Sequence, residues 1–177
     1  HRALKEIEDR YDIVVVDTPP SLGMLSLNAI AAASLIVMPI VPHMYDISSS
    51  VQYFRILEQV CALYEREINV QRLSILLTKV DSSTETLNNI AVINGAYGEL
   101  LLSNRMGLTK ELQKSASDQI SIYEIDQPRG SRDTYNRAIM MLDGVNTEIL
   151  LAVRQIWQQE ILAGIEAAEA GQRGRPS

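Results

Sequence analysis

The chain holds one cysteine, two histidines, one tryptophan and one phenylalanine among 177 residues. A lone cysteine, Cys61, excludes an internal disulfide and any cysteine-rich zinc or iron–sulfur centre. With only His1 and His43 beside it, little is left for a metal cluster. Aromatic residues make up 5%, so the core has to come from Leu, Ile, Val, Ala and Met. Long apolar runs are missing too: none approaches the roughly 18 residues of a membrane span, and no signal peptide is visible. A reducing cytoplasm is the expected setting. No Gly-Lys dipeptide occurs, and therefore no G-x-x-x-x-G-K-[ST] phosphate loop.

What is present has ordinary proportions, with 46% hydrophobic and 21% charged residues in about one domain's length. Net charge is −6 and unevenly spread. Residues 1–100 carry 7 basic and 12 acidic groups, residues 101–140 carry 6 and 5, and residues 141–177 carry 3 and 5. A polyanion site is therefore least disfavoured over 101–140, where a mixed solvated surface is the competing reading. The chain opens on His1 rather than Met and reaches its first strand after a short helical lead-in, as expected of the later part of a longer protein.

Apolar spacing predicts strands alternating with helices. Ile13–Val16 is short, apolar and mostly β-branched, which suits a strand covered on both faces. A helix is expected over Leu25–Ala33, then a buried strand within Ser34–Pro42, then a helix capped by Asp46 with Val51, Phe54, Leu57 and Cys61 on its apolar face. Leu73–Val80 reads as the next strand. Ser82 and Glu85 have capping-box spacing before a helix running to about Tyr97. A short strand near Leu100–Leu102, a helix near Thr109–Ser115 and the short segment "ISIYEI" follow. Ser131 opens a long last helix with the stripe Tyr135, Ala138, Leu142, Val145, Ile149, Val153 and Ile156. Met140 and Met141 on that helix read as core packing. The fold class is α/β, a mostly parallel sheet flanked by helices, with residues 1–170 as part of one domain and 171–177 as a flexible tail.

The chemistry-bearing stretch is "YDIVVVDTPPSLG", Tyr11 to Gly23. Asp17 falls at the carboxyl end of the expected strand, where open α/β sheets bind ligands. An aspartate ending an apolar strand is the Walker B pattern, which in P-loop NTPases helps hold Mg²⁺ at the β- and γ-phosphates. The bland reading is a capped strand end. Pro19 and Pro20 restrict the turn, and Gly23 is expected to permit its sharp exit. Thr78, Lys79 and Asp81 end a later strand at the same edge.

The run "YDIVVVDTPPSLGMLSLNAIAAASLIVMPIVP", followed by "QYFRILEQV", "ILLTKVDSSTE" and "IYEIDQPRGSRDTYNRAIMMLDGVNTEI", resembles the ParA family of partition ATPases, in its large plasmid-borne branch. The resemblance covers nearly the whole chain. It implies a P-loop NTPase-like fold, incomplete at its N-terminal side, because the family's phosphate loop lies upstream of the matching strand. It implies ATP and Mg²⁺ as cofactors, with Asp17 at the metal, Asp17, Thr18, Pro19 and Pro20 at the nucleotide, and the Thr18-Pro19-Pro20-Ser21-Leu22-Gly23 turn as a switch that senses the γ-phosphate. Thr78, Lys79 and Asp81 would lie beside the base. Implied partners are a second copy in an ATP-dependent dimer, duplex DNA bound without sequence preference, and a ParB-like centromere-binding protein; the setting is cytoplasmic and nucleoid-associated. Candidate DNA contacts are Arg105, Lys110, Lys114, Arg129 and Arg132. The family's Arg-rich segment leading to an A-P-S turn is not intact here, where "SNRMGLTKELQKSAS" stands. The complete protein is expected to hydrolyse ATP, and these residues alone, without the phosphate loop, are not.

Two other readings compete. A MinD-like membrane-cycling ATPase needs a basic amphipathic helix near the carboxyl end, whereas Glu160, Glu166 and Glu169 make this one acidic. A non-catalytic DNA or protein interaction module that has lost its nucleotide site is the third.

Overall fold

The computed structural model describes residues 2–19, 21, 23–63, 72–128 and 130–173. Its helices are α1 (Arg2–Lys5), α2 (Met24–Ala32), α3 (Met44–Leu63), α4 (Thr84–Tyr97), α5 (Lys110–Ser117) and α6 (Arg132–Arg173), with strands β1 (Ile36–Ile40) and β2 (Leu73–Leu77). The expected tail therefore begins inside helix. The side chain of Cys61 and residues 174–177 lie outside the described residues.

β1 and β2 pair in parallel, Ile36 opposite Leu73 through Ile40 opposite Leu77. The Thr78 N–H donates to the Ile40 carbonyl at 2.9 Å, so the backbone groups of Ile40 face β2 and those of Pro39 face away. Proline has no N–H to offer, and the free edge is where a strand tolerates it. On its other edge β2 meets residues 101–108, with single parallel bridges Ile75–Leu101 and Val80–Gly107. The short strand expected near Leu100–Leu102 is reduced to the first of these bridges.

Helices cover both faces, which makes the chain an α/β protein of P-loop NTPase-like layering. Alternate residues of a strand point to opposite sides. Ile75 and Leu77 pack with Ile40, Ile47, Ile90 and Ile93 beneath α3 and α4. Leu76 packs the other way, with Leu102 and Val145 of α6. The stripe on α6 behaves as its spacing predicts, with Ala138, Val145 and Ile156 buried. Met140 does not: it is 72% exposed. It lies two residues from Ala138 and so points about half a turn away from the core. Met141 is the packed one, its sulfur accepting the Gly107 N–H.

Residues 13–19 form no strand and join no ladder among the described residues, and Val15 is 89% exposed. The expected buried strand is thus corrected to an uncovered segment outside the sheet. β-branched residues favour extended backbone by themselves, but a ladder needs a second strand to accept its hydrogen bonds, and none of the described strands lies alongside. An uncovered apolar segment is prone to associate with other chains. Purified alone, the 177-residue chain is expected to self-associate, and Val15→Lys to reduce this without changing the far-ultraviolet circular dichroism. A monomeric wild type with a sharp, reversible thermal transition would contradict that expectation.

Candidate functional site

Two strand ends and the turns after them build the carboxyl edge. After β1 comes Pro42, whose carbonyl accepts 3.0 Å from the buried amide of Asn89 on α4. The first backbone bond of α3 runs from Ile47 to His43, so the helix begins there and Asp46 sits inside its first turn, not at the cap. A carboxylate in that turn still complements the helix dipole. His43 Nδ1 lies 3.9 Å from Asp46 Oδ2.

After β2, Lys79 adopts φ 52°, a left-handed conformation that costs a non-glycine residue on the order of 1 kcal/mol. The backbone on either side holds it there, Thr78 bonding to Ile40 and the Val80 N–H donating 3.0 Å to the Met106 carbonyl. Asp81 then accepts from the Ser83 N–H at 2.9 Å and the Ser83 hydroxyl at 2.7 Å. These bonds, with one from Thr86, hold its carboxyl down at about 2. The capping arrangement expected of Ser82 and Glu85 is shifted by one residue, because Asp81 orients Ser83, and Ser83 accepts the Thr86 N–H. Thr78, Lys79 and Asp81 are thereby brought to one edge, with His43 close enough for its charge to act on Asp81.

The opening turn is placed separately. Asp17 and Thr18 are exposed at the end of the uncovered apolar segment. The buried hydroxyl of Ser26, on the first turn of α2, donates 3.3 Å to the Pro19 carbonyl and ties the turn to that helix. Pro20 and Leu22 lie outside the described residues. Gly23 has φ −84° and ψ 173°, extended backbone open to any residue, so its expected role in a sharp exit is not needed. Among the described hydrogen bonds and ion pairs, none joins Asp17 to Thr78, Lys79 or Asp81.

The basic candidates are spread out. Lys110 and Lys114 stand one turn apart on α5, and Thr109, expected as the first residue of that helix, is its cap. Lys114 is not a free cation: its ammonium lies 3.1 Å from Glu111 Oε1, and that carboxylate is nearly buried. Gly130 packs against the pair, since a Cβ there would come within 2.7 Å of Glu111 Oε1. Arg132, the exposed first residue of α6, follows closely, while Arg129 lies outside the described residues. Arg105 is exposed in the loop after Leu102.

One residue escaped the sequence reading. Glu148 of α6 accepts from the Ser103 N–H at 2.6 Å, and from the Asn104 N–H and side-chain amide at 2.8 Å each. Burial pushes this carboxyl up, but the hydrogen bonds outweigh it and hold Glu148 below the usual range. A Cβ on Gly144, one turn earlier, would stand 2.7 Å from Asn104 Oδ1, so glycine is what admits the loop. An isolated glycine inside a helical pattern was the available signal.

Asp17 and Thr18 supply hard oxygen donors of the kind Mg²⁺ accepts alongside water and phosphate oxygens. Among the described residues no three His, Cys, Asp or Glu side chains gather as a metal cluster, and no helix is long and apolar enough to cross a membrane.

A family model described as an AAA domain matches residues 1–71. The chain is 28% identical over 166 residues to a protein named replication protein A from Sinorhizobium fredii, an alignment covering 92% of this chain and 41% of that protein. It is 27% identical over 151 residues to Protein SopA of Escherichia coli K12, covering 83% of this chain and 39% of that one. With the chromosome-partitioning ATPase Soj of Thermus thermophilus it shares 34% over 100 residues, 55% of this chain and 39% of that protein. The chain thus spans about two fifths of the length of the relatives it matches.

Asp81 binds its proton more weakly folded than unfolded, so its hydrogen bonds contribute stability above its ordinary value of 3.8 and lose it as pH falls toward about 2. The thermal midpoint of Asp81→Asn is therefore expected to lie below that of the wild type at pH 6 and to converge with it as pH falls through that window. An unchanging gap between the two melting curves would show that the carboxylate charge is not what Ser83 recognises.

Proposed function

We propose that the chain belongs to the ParA family of partition ATPases and that its residues form part of an ATP-driven switch that segregates plasmid or chromosome copies. The observation that carries the reading is continuity. An alignment covering 92% of the chain necessarily takes in the Asp17 turn, the ends of β1 and β2, and the basic segment through Arg132. One chance motif does not extend in that way.

In this reading Asp17, with Thr18 beside it, holds Mg²⁺, which when bound neutralises developing charge on the phosphates. The turn from Thr18 through Gly23 responds to the γ-phosphate. Its grip on α2, through Ser26 and the Pro19 carbonyl, gives the response a rigid element to move. Thr78 and Lys79 face the base. Asp81 keeps lone pairs beyond those that Ser83 occupies and can accept from an exocyclic amine. The phosphate loop is contributed from elsewhere in the full-length protein.

The ATP state self-associates and binds duplex DNA through basic residues of the 105–132 region, which accounts for the nucleoid setting expected above. A ParB-like partner stimulates hydrolysis and ends that state. The relative named chromosome-partitioning ATPase Soj supports, by similarity, the coarser reading of a partition ATPase on which these assignments rest.

The test is ATP hydrolysis by the full-length protein, with DNA and then the cognate partner added. Turnover is expected to rise with both, and Asp17→Ala to lower it by roughly 100-fold or more, the scale for losing a group that stabilises transition-state charge. Wild-type turnover in the variant would remove Asp17 from the metal site. Absence of nucleotide binding in the full-length protein would leave an interaction module.

A further inference from the structure

Between its bonds to Ile75 and Leu77, the third segment of the sheet takes a detour. Leu102 donates to the Ile75 carbonyl and Met106 to the Leu77 carbonyl. Two steps along β2 are thus matched by four along its neighbour, and the surplus residues bulge outward. Such bulges re-aim side chains. Arg105 is the last residue of this one. On its far side Met106 is locked into the ladder, donating to Leu77 and accepting from Val80. On its near side Glu148 closes both oxygens over Ser103 and Asn104.

We infer that Glu148 is a positioning residue: by clamping Ser103 and Asn104 it presents Arg105 as a fixed cation to the phosphate backbone of duplex DNA. The inference rests on the DNA-binding reading above and adds a residue to it. Three observations support it. Glu148 spends its carboxylate on three N–H donors, so its charge is satisfied within the protein. Gly144 leaves the gap that lets Asn104 reach it. Arg105 is exposed and takes part in none of the ion pairs among the described residues. Lys79 lies just past β2, between Leu77 and Val80, the two residues to which Met106 bonds, so a second exposed cation stands beside this loop.

The experiment is a salt titration of duplex DNA binding by the full-length protein with ATP. The variants are Arg105→Ala, Glu148→Gln, their combination, Gly144→Ala, and Lys110→Ala with Lys114→Ala. Each phosphate contact contributes about 0.9 to the slope of log affinity against log salt. Arg105→Ala is expected to lower the slope by about one. Glu148→Gln should weaken binding severalfold and lower the slope by most of the same amount, with the double variant no worse than Arg105→Ala. Gly144→Ala, which opens the clamp from the opposite side, should follow it and serves if Glu148→Gln does not fold. Simple charge accounting predicts the reverse, since removing a carboxylate near DNA would tighten binding. A loss of stability alone would leave the slope unchanged.

A wild-type slope in Glu148→Gln and Gly144→Ala, with a reduced one in Arg105→Ala, overturns the role of Glu148. A wild-type slope in Arg105→Ala with a reduced one in the Lys110 and Lys114 variant overturns the inference and leaves DNA binding standing. Failure of the ATP-bound protein to bind duplex at any salt removes the DNA-binding reading, and the inference with it.

Discussion

A strand bonded on both edges and covered on both faces has nowhere to leave a polar group unpaired, and Leu73–Leu77 is in that position. Its Ile36–Ile40 neighbour takes one edge and the 101–108 segment takes the other. Ile75 and Leu77 anchor one core, Leu76 the second. The positions of Thr78, Lys79 and Asp81 follow from where this strand stops. So does the bulge carrying Arg105, because the neighbouring segment must regain register with β2 after its detour. A disturbance in the strand would therefore reach both the edge proposed for nucleotide and the loop proposed for DNA.

Polar side chains around this core fix loops more than they stabilise surfaces. Asn89 secures the end of β1, Asp81 organises the start of α4, and Glu148 gathers a loop that the sheet alone would leave loose. Each bonds to backbone, so each constrains the path of the chain itself. Exposed ion pairs contribute little by comparison, as expected of charges screened by solvent. The pair of Arg72 with Glu160 at 3.3 Å, both half-exposed, is of that kind.

The Asp17 turn has a different status. Its tie to the rest is a side-chain bond to the helix that follows it, and its apolar lead-in is uncovered. A segment with few buried contacts has low local stability. Under the switch role proposed above, such a segment would change conformation at modest cost.

The sequence by itself determined the order of elements, since apolar spacing and β-branched runs are local properties. β1, β2 and the α6 stripe appear where periodicity places them. It also brought the D-T-P-P-S-L-G turn into view, because that signal is one of residue identity. What only the tertiary structure decided are the relations between distant segments. Asn89 meets the Pro42 carbonyl forty-seven residues away and so ties α4 to the end of β1. Met140 is exposed and Met141 packed because the direction of the core fixes the rotation of α6. Glu148 lies forty-four residues from Asn104, and a glutamate beside an apolar stripe carries no local mark of the loop it will hold. Local chemistry sets which backbone conformations are cheap, but packing selects which donors and acceptors meet.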